Sequence, residues 1–413
     1  MNGLVVVGAS YAGVQAALSA REAGYAEPIR LIVDETSLPY QRPPLSKGFL
    51  LGEASEQSLV LRDETFFRDK GIELLLGTSA VRVDRQERRV ALADGARLDF
   101  DRLLLATGSR ARRLSVPGAE REGIHYLRSL RDAQTLKAEL DAAASIIIIG
   151  GGFIGLEVAS TASKLGKNVT VIEAASRLLE RTVSPVVSQF LLALHHQNGV
   201  DIRLSETVAR LDKDGDRWTV TTGSGAALHG DIVLAGIGGL PNIELATEAG
   251  LACDNGILVD AHGATSDPLV FAAGDCTSHH NSFAGQQTRL ESVQHAQDQG
   301  KAAGSAVAGK TSPYTSVPRF WSDQYAAKLQ MVGLSHGRDH HVIRGEPDQS
   351  GFSVFMYRQN RLIAVDSVNR PGEQLIARKL IGAGVSPSPA QAADLSFDLK
   401  ALPLPRAAEG ARP

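Results

Sequence analysis

Two glycine-rich turns stand about 140 residues apart in this chain, each directly after an apolar run. The first reads Leu4-Val5-Val6-Val7-Gly8-Ala9-Ser10-Tyr11-Ala12-Gly13, and the second Ile146-Ile147-Ile148-Ile149-Gly150-Gly151-Gly152-Phe153-Ile154-Gly155. Glycines at these spacings let a backbone bend sharply, approach a pyrophosphate and pack a helix onto a strand. The helix that follows points its first amides at the phosphates. One such turn serves one dinucleotide, so two turns predict two dinucleotides on one polypeptide. The natural pairing is a tightly held flavin dinucleotide with an exchangeable nicotinamide dinucleotide, which is electron-transfer chemistry.

The second turn is the complete form, Gly150-x-Gly152-x-x-Gly155, and Glu173 ends the next apolar run 23 residues after Gly150. A carboxylate there accepts from both ribose hydroxyls and repels a 2′-phosphate. Ala174 and Ala175 follow it, and Arg177 is the nearest cation downstream, so NADH is expected over NADPH. In the first turn Gly8 and Gly13 fill the outer positions and Ser10 the middle one. Its hydroxyl either donates to a phosphate or holds that group slightly further off. The acidic partner of the adenosine ribose is Asp34 or Glu35, and the spacing suits either. Far downstream Gly274-Asp275 closes the apolar run 269–273, where an aspartate can bond the ribityl chain of a flavin.

The elements that must position these residues repeat. Residues 4–7 read as a buried strand, 13–23 as a helix ending near Gly24, and 29–33 as the next strand; 146–149, 153–165 and 169–172 repeat the unit. The recurrence duplicates a fold unit, not a short solenoid period. Pro39, Pro43 and Pro44 predict an irregular loop. Residues 103–108 read as a strand ending in a small-residue turn, and further strands fall near 203–204, 218–222 and 232–237. Beyond about 317 aromatic density rises, with strands at 342–343, 353–357 and 362–367, a helix at 374–381 and a loose Pro/Ala-rich tail. The expected fold class is α/β, with two Rossmann-like dinucleotide-binding domains and a C-terminal α+β domain. The layout places FAD on 1–110 and 234–317, NADH on 111–233, and the last domain at 318–413.

Composition narrows the class. At 413 residues, with 43% hydrophobic and 22% charged residues, the chain suits two or three globular domains. A net charge of −3 provides no global basic field for nucleic acid or an anionic membrane. Cys253 and Cys276 are the only cysteines, which excludes a disulfide framework and a vicinal redox pair. The longest apolar stretch, near 145–156, is broken by glycines and falls short of the ~20 residues of a membrane span. Met1-Asn2-Gly3 runs straight into the first strand, so a cytoplasmic location is expected. The pairs His279-His280 and His340-His341 are expected in loops; adjacent side chains diverge, so no metal site is expected.

One further segment is diagnostic. Tyr40-Gln41-Arg42-Pro43-Pro44-Leu45-Ser46-Lys47 resembles the signature of the NADH-dependent ferredoxin reductases of bacterial oxygenase systems, glutathione-reductase-like flavoproteins related to the apoptosis-inducing ones. Residues 106–109, 150–157, 236–238 before Pro241-Asn242, 272–276, 289–293 and 320–324 continue the resemblance from residue 4 to about 334. It implies FAD, NADH and a 2Fe-2S ferredoxin as partner, with hydride transfer to the flavin and single electrons passed on. The ferredoxin would feed a Rieske-type oxygenase or a haem monooxygenase. It implies that Ala106, Thr107, Gly108 and Arg42 lie by the flavin, Asp275 on its ribityl chain, and Val293 on its pyrimidine edge through the backbone. Lys47 would stand near the central ring, paired with Glu157, because either charge alone is costly to bury; the cation would also stabilise the reduced flavin. Phe153 resembles the aromatic that covers the flavin and Trp321 the one at its edge, where electrons leave. Gly150, Gly152, Phe153, Ile154, Gly155, Glu157, Glu173 and Gly238 would serve NADH. Ser10 departs from the usual glycine, and Arg319 from the usual aromatic before Phe320; Arg319 is expected on the face that meets an acidic ferredoxin. A rubredoxin or small-molecule reductase, or a redox-sensing flavoprotein like the apoptosis-inducing relatives, is the alternative. No nucleic-acid or membrane partner is implied, and a monomer or weak homodimer is expected.

Overall fold

Four consecutive apolar residues, Leu4–Val7, form the central strand of a five-stranded parallel sheet in the computed structural model, which describes residues 2–347 and 351–405. The sheet runs Val270–Ala272, Arg102–Leu105, Leu4–Val7, Ile29–Val33, Ile72–Leu76. A strand covered on both faces needs apolar residues at every position, which is why the central one reads as an unbroken Val/Leu run. The chain divides into two compact units. The first takes the chain up to Arg112 with Arg128–Ala133 and Gly238–Ser316; the second takes Arg113–Leu127, Gln134–Ile237 and the chain from Val317 on.

In the first unit, helix Tyr11–Glu22 lies against helix Val293–Val307. Small residues set their separation. A Cβ on Gly300 would stand 2.5 Å from the Ala12 carbonyl oxygen, and one on Gly304 2.1 Å from that of Ala16. Gly304→Ala is therefore expected to destabilise this unit by about 1–3 kcal/mol, as overpacking does. An unchanged urea midpoint would mean that the helices part without cost.

The second unit repeats the plan: Asp201–Leu204, Asn168–Glu173, Ser145–Ile149, Ile232–Ala235 and Ile124–His125 form a parallel sheet. The same unit contains a five-stranded antiparallel sheet, Arg319–Gln324, Ala327–Gly333, Arg361–Val368, Gly351–Arg358, His340–Glu346, with helix Pro371–Gly382 against it. Ring contacts and hydrogen bonds join this sheet to helix Pro185–Gln197. Phe190 meets Phe352 edge-on, with centroids 5.4 Å apart, and the Ser184 amide at the helix cap donates to Asp366 Oδ2 at 2.9 Å. Burial pushes the Asp366 carboxyl up to about 6.

Three expectations are corrected. Pro43–Ser46 is a 3-10 turn, because prolines in a first turn lose no hydrogen bond that the turn would have made. The tail is ordered as far as it is described: Pro389–Ala393 is a helix with a Ser388–Gln391 capping box. The buried Arg344 holds the segment after it, donating to the carbonyls of Ala392, Asp394, Leu395 and Phe397 and pairing with Glu373 at 3.0 Å. Residues 406–413 lie outside the described residues. The histidine pairs are in strands, Thr277–Asn281 and His340–Glu346, not loops. Strand alternation buries His279 and exposes His280. Among the described residues no helix is long and apolar enough to cross a membrane.

Candidate functional site

Both glycine turns close in the same way. Gly8 has φ +100°, its amide donates to the Ile32 carbonyl at 2.9 Å, and a Cβ there would stand 2.3 Å from the Ala106 oxygen. Gly150 has φ +110°, donates to Ile172 at 2.8 Å, and would place a Cβ 2.4 Å from the Gly236 oxygen. Helix packing excludes side chains at the third positions, where a Cβ on Gly13 would meet the Gly8 oxygen at 1.9 Å and one on Gly155 the Gly150 oxygen at 2.1 Å. The middle positions differ in kind. Ser10 (φ −98°) and Gly152 (φ −82°) are both extended helix caps, a conformation open to any residue. Ser10 therefore causes no backbone strain, and its hydroxyl makes no cap hydrogen bond to its own helix.

The acidic residues are not equivalent. Register pairs Val7 with Ile32 and Ile149 with Ile172, so Glu173 stands opposite Gly150 while Val33 stands opposite Gly8. Glu173 braces its own turn, with Oε2 accepting from the Gly151 amide at 2.6 Å and Oε1 from the Ala175 amide at 2.7 Å. Glu35 instead holds Arg42 at 2.9 Å and accepts from the Tyr40 hydroxyl at 2.7 Å. Arg42 donates further to the Arg128 carbonyl at 2.8 Å. Asp34 is the exposed carboxylate at that strand end.

The downstream flavin candidates gather in the first unit. Gly274 turns at φ +88°, its amide held by Gln299 Oε1 at 2.7 Å, and a Cβ there would lie 2.9 Å from the Ala12 Cβ. The Gly-Asp turn therefore abuts the helix of the first glycine turn. Asp275 Oδ2 accepts from Ser109 Oγ and from Arg128 Nη2, both at 3.1 Å, which leaves Oδ1 for a ligand. The Ala106 amide donates to Val7, and Thr107 and Asn242 lock each other through two side chain-to-carbonyl bonds of 2.6 and 2.9 Å. Gly108 has φ +66°. Lys47 is half-buried at the end of the 3-10 turn, and Val293 opens its helix behind the Ser292 cap.

In the second unit Phe153 and the 42%-exposed Ile154 open the helix Phe153–Lys164. Glu157, on the same helix, is buried and accepts from Ser322 Oγ at 2.8 Å. Ser322 lies on the strand Arg319–Gln324, whose Arg319 and Trp321 are half-buried. Trp321 thus belongs to the second unit and Gly238 to the first.

Sequence reasoning missed Arg128, Gln299 and His195, whose roles arise from partners distant in the chain. Ser109, Asn242, Ser322 and Gln324 sat inside recognised motifs without a role. The residues present fit two dinucleotides: two cradles that no Cβ could enter, helix starts behind them, and a carboxylate at each strand end.

Residues 2–300 match the family model described as pyridine nucleotide-disulphide oxidoreductase, and residues 319–403 the one described as reductase C-terminal. The chain belongs to the pyridine nucleotide-disulphide oxidoreductase family. Its cofactors are FAD and NADH, and its α/β fold is glutathione-reductase-like. It is 45% identical to rhodocoxin reductase of Rhodococcus erythropolis over 96% of this chain and 93% of the relative. The ferredoxin reductase for the CYP199A2 system of Rhodopseudomonas palustris superposes with a TM-score of 0.94 at 41% identity, covering 97% and 99% of the two chains. A covalent putidaredoxin reductase–putidaredoxin complex superposes at 0.93 with 41% identity, covering 97% of each chain. Within this family the chain has no vicinal thiols: Cys253 and Cys276 are both free, and Cys276 is buried. Electrons have no dithiol to pass through.

Proposed function

We propose that this protein carries electrons from NADH through FAD to a 2Fe-2S ferredoxin, which serves a Rieske-type oxygenase or a haem monooxygenase. The observation that carries the reading is a pair of dinucleotide cradles on one chain that lacks a dithiol. When bound, FAD supplies the conversion between a two-electron donor and one-electron acceptors.

The chain's own residues hold, orient and charge the site. The turn of Gly8, Ser10 and Gly13 takes the FAD pyrophosphate; Asp34 takes the ribose, while Glu35 fixes Arg42. Asp275 offers Oδ1 to the ribityl chain, and Ala106, Thr107, Gly108 and the Val293 amide line the ring side. The turn of Gly150, Gly152, Ile154 and Gly155 takes the NADH pyrophosphate, with Phe153 and Gly238 toward the nicotinamide. Lys47, Glu157 and Trp321 are assigned to the reacting ring. Residues 1–110 with 234–317 would form the FAD domain, 111–233 the NADH domain and 318–413 the C-terminal domain, with Arg319 on the docking face. A cytoplasmic monomer or weak homodimer completes the reading.

The deciding experiment is an anaerobic NADH titration of the yellow protein, followed by rapid mixing with oxidised 2Fe-2S ferredoxin or with rubredoxin. Bleaching at one equivalent and fast ferredoxin reduction are expected. Transfer only to rubredoxin, or a long-lived reduced flavin that reduces neither, would replace the ferredoxin reading. Cofactor choice tests Glu173 separately. Glu173→Ala removes both the ribose acceptor and the repulsion of a 2′-phosphate, so the ratio of kcat/KM for NADH to that for NADPH is expected to fall about tenfold. An unchanged ratio would place discrimination elsewhere.

A further inference from the structure

A buried file of polar side chains runs from Glu157 to Tyr325 inside the second unit. Ser322 Oγ donates to Glu157 Oε1 at 2.8 Å, and Gln324 Nε2 donates to Ser322 Oγ at 3.1 Å. Gln324 Oε1 meets His195 Nε2 at 2.9 Å, and His195 Nδ1 meets the Tyr325 hydroxyl at 3.3 Å. Ser322 and His195 are 0% exposed, Gln324 1% and Glu157 4%. Polar groups this deep are unfavourable unless each is satisfied, so the file is ordered as a whole or not at all.

Three elements assemble it. Ser322 and Gln324 share the inward face of one strand, two residues apart. Glu157 comes from helix Phe153–Lys164 and His195 from helix Pro185–Gln197. Tyr325 follows the strand at φ +53°, a conformation that a bulky residue adopts only when its surroundings impose it. Its amide is pinned by Ser160 Oγ at 2.8 Å.

The direction of every bond follows from one fact. The Ser322 hydroxyl donates its one proton to Glu157 Oε1. Ser322 then accepts from the Gln324 amide nitrogen, which turns the amide oxygen to His195. That oxygen needs a proton on His195 Nε2, so Nδ1 accepts from the Tyr325 hydroxyl. Burial keeps His195 neutral by lowering its proton affinity, as this arrangement requires. All four dipoles point the same way. A proton on Nδ1 would reverse the amide and draw the Ser322 hydroxyl away from Glu157.

We propose that Ser322, Gln324, His195 and Tyr325 are positioning residues that hold the Glu157 carboxylate in one orientation for the redox reaction. The file is not a proton path, because a carboxamide in its middle does not relay protons as hydroxyls and imidazoles do. The inference rests on the assignment of Glu157 to the redox site.

The test uses holoenzyme labelled with ¹⁵N-histidine, with His195 assigned through His195→Asn. A neutral ring protonated on Nε2 is expected; protonation on Nδ1 overturns the proposal. The Glu157 carboxylate band is then located in the infrared as the difference between wild type and Glu157→Gln. Ser322→Ala should shift that band and slow flavin bleaching by NADH about tenfold, the loss expected for one hydrogen bond to a charge, and Ser322→Thr should restore both. An unmoved band overturns the proposal. Should Ser322→Ala fold poorly, Gln324→Met breaks the file one link further out and should shift the band less. If the band moves but Glu157→Gln bleaches normally, the positioning file stands and the redox assignment of Glu157 falls.

Discussion

Purified Asp275→Leu protein is expected to be colourless. Asp275 is held from one side only: Ser109 and Arg128 both occupy Oδ2. The turn that carries it abuts the helix of the first glycine cradle. Removing the carboxylate deletes the ligand's acceptor and strips Arg128 of its partner. Hydrogen bonds to a charged group are worth about 1.5–3 kcal/mol each, and leaving a partner unsatisfied adds to that, so FAD affinity should fall roughly a hundredfold. Asp275→Asn keeps the shape and one acceptor, so it should lose about tenfold. Reconstitution of apoprotein followed by flavin fluorescence measures both. Full flavin occupancy in a folded Asp275→Leu protein would remove Asp275 from the site.

Acid is expected to act on the two compact units in opposite directions. In the first, the rings of His279 and His295 stack 5.2 Å apart, with Tyr314 edge-on to both. His279 Nδ1 and His295 Nε2 have no hydrogen-bond partner, and burial, reinforced by the neighbouring imidazoles, lowers the two rings to about 4 and about 3. Once unfolded, each ring takes up a proton below about pH 6.5. Their contribution is therefore complete above 6.5 and is lost as pH falls toward 4, where the unfolded chain binds more protons. At about 1.4 kcal/mol per pH unit for each proton, the loss is on the order of 5 kcal/mol. Asp366 in the second unit works the other way: raised from 3.8 to about 6, it favours folding most below 3.8 and loses that contribution as pH rises through 6. Between pH 7 and 4.5 the first unit should weaken and release flavin while the second holds its structure. Flavin fluorescence and far-ultraviolet dichroism, followed together against urea, would show two separated transitions. His295→Gln should roughly halve the acid sensitivity of the first. Coincident transitions at every pH would refute the opposition.

What could be read from the sequence was local. Strands 4–7 and 29–33 fall where their apolar runs place them, and Gly24 and Gly166 follow the ends of the two repeated helices. Hydrophobic period and glycine position fix such elements within a few residues of chain. The glycine cradles were legible for the same reason, since their geometry is set by neighbours. The supports of the site were not. Arg128 reaches Asp275 across 147 residues, and Ser322 reaches Glu157 across 165. No short pattern encodes such pairs, because topology and not spacing brings them together. The adjacent histidines failed differently: they were expected in loops, and strand pairing placed one ring of the first pair in the interior.

The order in which the strands are made has a consequence for synthesis. All strands of the parallel sheet in the second unit have been translated once Ala235 is added, whereas the sheet begun at Leu4 lacks its edge strand until Ala272. At the ribosome's pace of about 5–20 residues per second, strand 102–105 waits roughly 10–30 s for that partner. The sheet that starts first therefore closes second, and Asp275, the proposed ribityl ligand, is made only after it. A nascent chain stalled shortly before residue 270 should engage a holdase chaperone, and one stalled well past 316 should release it.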